Sequence, residues 1–154
     1  MKGIYAFIVI CCILNLHLIQ GYYTTGVIRD YCLENELLTT IIHIASTGII
    51  YNGCIPSPLN EKCVIVDITV RGWRCPGNSF PTFNAAGRMR CCTKEGLEVQ
   101  SCIFDSNIYN FDNDFVANPP KGFHLKGRFG LGNPNDPFGY RLEYCSLQRR
   151  RHQY

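Results

Sequence analysis

Two histidines and two nearby basic residues are the side chains of this chain best suited to acid–base chemistry. His43 and His124 are of the type that serves as general acid and general base near neutral pH. Lys126 and Arg128 follow His124 at alternate positions and carry the positive charge that stabilises a pentavalent phosphate. A small hydrolase of the ribonuclease type is therefore one hypothesis. His43 also lies in an apolar stretch, where a structural imidazole is the commoner role, so we assign no catalytic residue.

Other catalytic and metal-binding patterns are missing from the sequence. There is no Gly-x-Ser-x-Gly elbow of the kind that serine hydrolases use. Asp105, Asp112 and Asp114 suggest a calcium loop, but Asn110 stands where the turn glycine belongs and Val116 where the bidentate glutamate belongs. We therefore predict an acidic surface loop with no metal and no cofactor, and a weak irregular calcium site is the alternative.

Aromatic residues in predicted loops are the stronger candidates for a functional role. The chain has nine tyrosines, nine phenylalanines and one tryptophan. Aromatic side chains supply much of the binding energy at protein and carbohydrate contacts. We predict four of them as binding residues: Trp73, Tyr109, Phe111 and Phe138. Trp73 lies two residues before Cys75, and the alternative is that it packs over a disulfide.

A signal peptide is predicted over residues 1–21. Lys2 is its only charged side chain, an almost wholly apolar run follows, and Gly21 offers a small residue at the cleavage point. That run is shorter than the roughly 20 residues that a membrane span needs, so we predict a secreted, extracellular protein without a membrane span. The rest of the chain is predicted to form a single domain over residues 22–148 and a basic tail over 149–154.

An even number of cysteines follows the predicted signal peptide, which favours a disulfide-stapled extracellular domain. They are Cys32, Cys54, Cys63, Cys75, Cys91, Cys92, Cys102 and Cys145. No Cys-x-x-Cys zinc pattern occurs among them. Because Cys91 and Cys92 are adjacent on a predicted strand, we expect them to face opposite sides and to bond different partners, one towards the core and one outside. A link from Cys102 to one of this pair, and a link between Cys32 and Cys145, are the further expectations.

The charge of the predicted domain argues against a nucleic-acid partner. The whole chain has 15 basic and 12 acidic residues. Without Lys2 and the three arginines at 149–151, 11 basic and 12 acidic residues remain, so residues 22–148 are nearly neutral. A near-neutral surface lacks the positive field that phosphate backbones attract. An extracellular protein or glycan is the expected partner, and the oligomeric state stays open.

The apolar pattern predicts one N-terminal helix and about five antiparallel strands, an α+β or mostly β fold. The helix is predicted over residues 32–45, because four apolar residues there fall on one helical face: Leu33, Leu37, Ile41 and Ile44. The β-branched cluster at residues 39–42 leaves a strand as the alternative there. A strand is predicted over 62–71, with four branched side chains turned to the core: Val64, Val66, Ile68 and Val70. A hairpin is predicted from 87–92 and 97–104, and a long loop over 105–121.

A second hairpin is predicted around the turn-rich segment 132–137. Three apolar residues share a face on each of its strands: Phe123, Leu125 and Phe129 on the first, and Tyr140, Leu142 and Tyr144 on the second. Arg141 and Glu143 alternate with the second set, so we expect both of them to point to solvent.

Two short resemblances accompany these patterns. Residues 90–102, with Cys91, Cys92 and Cys102, resemble the cysteine-bracketed hairpins of von Willebrand C and fibronectin type I-like modules. The chain also resembles small secreted fungal effectors with a ribonuclease-like fold. The resemblance lies in an aromatic–cysteine pair near the start, Tyr31-Cys32, and a late cysteine, Cys145. Neither assigns the chain to a family, and no functional residue is carried over from them.

Composition and cysteines together predict a secreted, cysteine-rich, non-enzymatic protein that acts by binding an extracellular protein or glycan, in the manner of an effector. The alternatives are the small secreted hydrolase that uses His43 and His124, and a structural component of an extracellular matrix.

Overall fold

The computed structural model shows a chain built from β-strands and turns. It describes residues 27–57, 59, 61–132 and 139–150. Over those ranges twelve strands form three antiparallel sheets and no helix is present, so the mostly β prediction is confirmed and the count of about five strands is too low. No segment in these ranges forms a helix that is long and apolar enough to cross a membrane. The predicted signal peptide and most of the basic tail lie outside the described residues.

In chain order the strands are β1 (Val27–Arg29), β2 (Glu36–Ile44), β3 (Ile49–Pro56), β4 (Lys62–Asp67), β5 (Gly72–Arg74), β6 (Phe80–Ala85), β7 (Arg88–Thr93), β8 (Leu97–Phe104), β9 (Tyr109–Asn110), β10 (Phe115–Ala117), β11 (Phe123–Gly130) and β12 (Gly139–Arg149). The first sheet has the order β1-β3-β2-β10, the second has the order β5-β11-β12-β8 with β9 beside β12, and the third has the order β4-β7-β6.

Strand β2 replaces the helix that was predicted over residues 32–45, and that prediction is wrong. Its centre is the β-branched run Thr39 to Ile42, which favours an extended backbone. Seven of its nine residues are buried, because both faces of the strand are covered. A strand that is covered on both faces shows no alternation of polar and apolar residues, so its leucines and isoleucines fell into helical spacing by coincidence.

The predicted second hairpin is confirmed as the antiparallel pair β11–β12. Tyr140, Leu142 and Tyr144 are all buried, as expected, and Arg141 is exposed. Glu143 was expected in solvent, but it is buried and forms an ion pair with Arg74. The β12 face that was expected to be open is therefore partly covered.

The predicted first hairpin is wrong, although both of its strands exist. Strand β7 pairs with β4 and β6, whereas β8 pairs with β12 in another sheet. The turn at residues 93–96 carries the chain from one sheet to the next, with Gly96 at a φ of 78°.

The valine and isoleucine side chains predicted as a core face are only partly covered. Val64 is 47% exposed and Val70 is 97% exposed, whereas Val66 and Ile68 pack against the core. The prediction fails because β4 is an edge strand of its sheet and Val70 lies in the turn after it.

Four disulfides join the described cysteines: Cys32–Cys54, Cys63–Cys92, Cys75–Cys91 and Cys102–Cys145. Cys91 and Cys92 bond different partners, as expected, but both are fully buried rather than one lying outside. The expected Cys32–Cys145 link is wrong, and so is a link from Cys102 to the adjacent pair. Cys102 and Cys145 instead face each other across β8 and β12.

Candidate functional site

A cleft of about 390 Å³ lies where an edge of the second sheet meets an edge of the first. One wall is the end of β8 with the turn that follows it, and the other is the end of β10 with the residues after it. Tyr109 of β9 and Tyr144 of β12 also line it. The volume falls within the range of sites that hold small ligands.

Asp105 is the charged side chain of this cleft. One of its carboxylate oxygens accepts the Asn107 backbone N–H at 2.9 Å, and the other accepts the Tyr109 hydroxyl at 2.6 Å. Each carboxylate oxygen can accept a further hydrogen bond. Burial, together with the hydrogen bond to Asp105, raises the pKa of Tyr109 to about 12, so this phenol stays protonated and keeps donating.

Tyr144 brings a buried hydroxyl to the cleft. The residue is 1% exposed, and its hydroxyl lies within hydrogen-bonding reach of the Tyr109 and Asp105 side chains. Burial, followed by the charges of Tyr109 and Asp105, raises its pKa well above the ordinary value, so the phenol is neutral.

Asn118 provides an amide on the opposite wall. Its Oδ1 accepts the Thr40 hydroxyl at 3.0 Å, which directs the amide nitrogen away from Thr40. The side chain is exposed, so its two N–H donors are open to a ligand. The cleft therefore combines a carboxylate acceptor with an amide donor.

Apolar side chains line the mouth of the cleft. Phe104 is 55% exposed, and Ile103 and Val116 are also exposed. The ring of Phe104 contacts Phe129 edge to face, with 5.4 Å between the centroids. That contact supports the ring of Phe104 and leaves more than half of the residue open to a partner.

The predicted binding residues fall in different surroundings. Tyr109 lines the cleft, whereas Phe111 is half-buried in an aromatic cluster beside it, with its ring 5.0 Å from that of Tyr140. Arg128 lies over Phe111 and Tyr140 at 5.7 and 5.3 Å. Phe138 lies outside the described residues.

Trp73 is 7% exposed and belongs to the same buried cluster as the Cys75–Cys91 disulfide. This position matches the alternative that it packs over a disulfide. A residue that contacts a partner needs an exposed side chain, and little of the Trp73 side chain is exposed.

The two histidines have separate neighbours. His43 is buried, its Nδ1 lies 3.0 Å from the Asn113 carbonyl oxygen, and its ring contacts Phe111 and Phe115. His124 meets Phe80 edge to face, and burial lowers its pKa. A carbonyl oxygen only accepts, so Nδ1 of His43 is the donor and the ring has a structural task.

Lys126 is fully buried, and its ammonium is occupied by the backbone. It donates to the carbonyls of Gly77, at 2.7 Å, and of Ser79, and it lies over the Phe80 ring at 4.7 Å. The group that was expected to stabilise a phosphate therefore holds the segment before β6 in place.

The carboxylates of the acidic loop are used separately. Asp114 accepts the Ala45 backbone N–H at 2.7 Å, and Asp105 belongs to the cleft. Among the described residues, the clusters with metal-ligand spacing are Cys32, Glu36 and Cys54, and Cys102, Glu143 and Cys145. In each cluster both sulfurs belong to a disulfide, so neither supplies thiolate ligands.

Of the ten residues that line the cleft, only Tyr109 was predicted as a binding residue; Phe104, Asp105 and Asn118 are among the nine that were not. The Asn-, Asp- and Pro-rich composition of residues 105–121 was the signal available, since long loops without periodicity often carry function. No family model, curated protein or solved structure matches this chain.

Proposed function

We propose that this chain is an extracellular, non-enzymatic binding protein that holds a glycan in the cleft between β8 and β10. The observation that carries the proposal is the Asp105 carboxylate, which lines a cleft that also holds the exposed ring of Phe104 and the exposed Asn118 amide.

A glycan suits this cleft because sugars present hydroxyl groups on one side and apolar C–H faces on the other. Asp105 accepts hydrogen bonds from hydroxyls, while Asn118 donates to them. Phe104 offers an exposed ring for the apolar face of a sugar. A protein partner would cover the same mouth, and it is the alternative that the experiment below separates.

Four disulfides support an extracellular setting, since such bonds are typical of oxidising compartments. The hydrolase hypothesis stays a prediction with less support. Its four groups are engaged elsewhere: His43 with a carbonyl, His124 with Phe80, Lys126 with two carbonyls and Arg128 with aromatic rings. The matrix hypothesis rests on no specific contact.

The experiment is a glycan array probed with the purified, disulfide-intact protein and with the variant Asp105→Asn. We expect one group of related glycans to bind the original chain and to lose at least tenfold in affinity with the variant. Asp112→Asn is the matched control, because Asp112 lies in the same acidic loop but does not line the cleft.

An array without binding would overturn the glycan proposal. Equal binding by the original chain and by Asp105→Asn would overturn the location of the site. Thermal unfolding of all three proteins shows whether a loss of binding comes from a loss of structure.

A further inference from the structure

We infer that the Cys63–Cys92 disulfide is a site of thiol–disulfide exchange, at which a thiol from solution attacks Cys63 and forms a mixed disulfide there. This bond opens ahead of the other three in the folded protein. The inference is independent of the glycan-binding function proposed above. It follows from the exposure of the four bonds, from the charges beside them and from one hydrogen bond to a sulfur.

Exposure is the first property that separates the four bonds. An attacking thiolate has to reach a sulfur, so access limits the rate of exchange. Cys63 and Cys102 are exposed, and each is bonded to a fully buried partner. The remaining two bonds join cysteines that are all at most 1% exposed. Two bonds therefore offer an accessible end.

The charge beside these two bonds favours the one at Cys63. The Glu143 carboxylate, which is paired with Arg74, lies within 4.8 Å of both sulfurs of the bond at Cys102. A negative group at that distance repels an incoming thiolate and disfavours the thiolate that leaves. Among the described residues, no aspartate, glutamate or histidine places a ligand atom within 4.8 Å of both the Cys63 and Cys92 sulfurs.

A hydrogen bond at the buried sulfur assists the group that leaves. Thr82 Oγ1 lies 3.3 Å from Cys92 Sγ, and both residues are fully buried. A disulfide sulfur has no proton, so the hydroxyl is the donor of this pair. The same hydroxyl also lies 3.3 Å from the Arg90 carbonyl oxygen. Because hydrogen bonds to charged acceptors are the stronger ones, the proton turns to the sulfur as Cys92 is released.

The exchange takes place in two balanced steps. A thiolate attacks Cys63 Sγ, a new S–S bond forms as the bond to Cys92 breaks, and the electron pair leaves on the Cys92 sulfur. A second thiolate then attacks the sulfur of the added group and releases Cys63. The protons that the two attacking thiols gave to water return to the two released cysteines. Two thiols are thus oxidised to a disulfide while the protein bond is reduced to two thiols.

The strands around the bond keep the released cysteines together. Cys63 and Cys92 stand opposite each other in the ladder that joins β4 to β7. The Cys75–Cys91 bond still ties β7 to the segment after β5 when the exchanged bond is open. The reduced thiols therefore stay side by side, and an oxidant can close the bond again.

The experiment opens the disulfides gradually in the folded protein. The disulfide-intact chain is treated with dithiothreitol, free thiols are blocked with iodoacetamide at intervals, and the cysteines still bonded are then reduced and given a second label. Tryptic peptides 63–71 and 91–94 report on the proposed site. We expect Cys63 and Cys92 to be blocked together, at least about tenfold faster than any other pair. Opening of the Cys102 bond first, or of all four bonds at one rate, overturns the inference.

Glutathione shows which of the two sulfurs is attacked. As a monothiol it leaves a mixed disulfide, which mass spectrometry locates after the free thiols are blocked. We expect the adduct on Cys63 in at least about fivefold excess over Cys92, because Cys63 is the exposed end of the bond. An adduct found chiefly on Cys92 contradicts the proposed direction of attack.

The variant Thr82→Val tests the hydrogen bond, because it removes the hydroxyl and keeps the shape of the side chain. It should slow the opening of the proposed bond about three- to tenfold and leave the Cys102 bond unchanged. Thr93→Val is the matched control, since the Thr93 hydroxyl donates to the Lys62 carbonyl between the same two strands and not to a sulfur. A loosened fold would speed the opening of both bonds. An unchanged or faster rate in Thr82→Val therefore counts against the inference.

Discussion

Arg74 and Glu143 form a two-pronged ion pair across a strand that separates them. Arg74 Nε lies 2.7 Å from Oε2 and Nη2 lies 3.1 Å from Oε1. Arg74 is on β5 and Glu143 on β12, and both stand opposite Gly127 of β11. The two side chains can meet there because Gly127 has no side chain to stand between them. A Cβ on Gly127 would lie 3.2 Å from Arg74 Cγ and 2.9 Å from the Trp73 carbonyl oxygen.

The first prediction concerns this ion pair. Arg74→Ala leaves the Glu143 carboxylate buried without its partner, and we expect the free energy of unfolding to fall by about 1–3 kcal/mol. Urea unfolding at pH 7 measures it. Arg141→Ala is the control, because Arg141 is an exposed arginine on β12, and it should change stability by less than about 0.5 kcal/mol. Equal effects of the two substitutions would contradict a role for the pair.

The second prediction concerns the pH dependence of stability. Burial, aided by the nearby charge of Arg74, lowers the pKa of Lys126 to about 8. In the unfolded chain this lysine keeps its proton to about pH 10.4, so the unfolded state binds more protons between these values. Stability should therefore rise with pH from about 8 towards 10, by an amount on the order of 3 kcal/mol.

The buried tyrosines limit that rise. Tyr109 has a pKa of about 12 in the folded chain, whereas an unfolded tyrosine loses its proton near pH 10. Stability should fall above about pH 10 as a result. Lys126→Met is the test: it should lower stability at pH 7, since the Gly77 and Ser79 carbonyls lose their donor, and it should abolish the rise above pH 8. A rise that survives in this variant must come from another group.

The third prediction is the disulfide map. Trypsin cuts after lysine and arginine, so digestion of the unreduced protein should release residues 91–94 joined to both 63–71 and 75–88 as one three-peptide species. Mass spectrometry before and after reduction identifies it.

The remaining bonds have their own signatures in that digest. Residues 30–62 should contain an internal bond, and 95–121 should be linked to 142–149. A peptide that joined Cys32 to Cys145 would contradict the pairing described above.

The fourth prediction concerns Trp73, the single tryptophan of the chain. Because it is buried, its fluorescence should be blue-shifted in the folded protein and weakly quenched by acrylamide, and unfolding should reverse both. Trp73→Ala should cost about 3–5 kcal/mol through the cavity it leaves. Strong quenching in the folded state would restore Trp73 as a candidate contact residue.

Features that depend on neighbouring residues were predictable from the sequence, and those that depend on distant strands were not. The β11–β12 hairpin was predicted because an alternating pattern flanks a turn-rich segment. Lys126 broke that pattern: the β-bulge between Leu125 and Gly127 turns it into the interior beside Leu125.

The candidate site shows the same division. Tyr109 was predicted as a binding residue from its loop, but the cleft depends on β8, β10 and β12 coming together. Cys91 and Cys92 were expected to take different partners because strand side chains alternate. That both are buried depends on what covers each face of β7, which no local pattern reveals.

The disulfide pattern divides the molecule mechanically. Cys75–Cys91 ties the segment after β5 to β7, so the second and third sheets form one cross-linked body. The bond within the first sheet, Cys32–Cys54, closes on that sheet alone, and no described disulfide crosses from it to the others. The cleft between β8 and β10 lies along the boundary that no described disulfide crosses. One wall of the cleft thus belongs to strands that disulfides link to each other. The other wall, at the edge strand β10, is held by non-covalent contacts and by the chain connections alone. A ligand bound in the cleft would therefore add contacts between two parts of the molecule that no described disulfide joins.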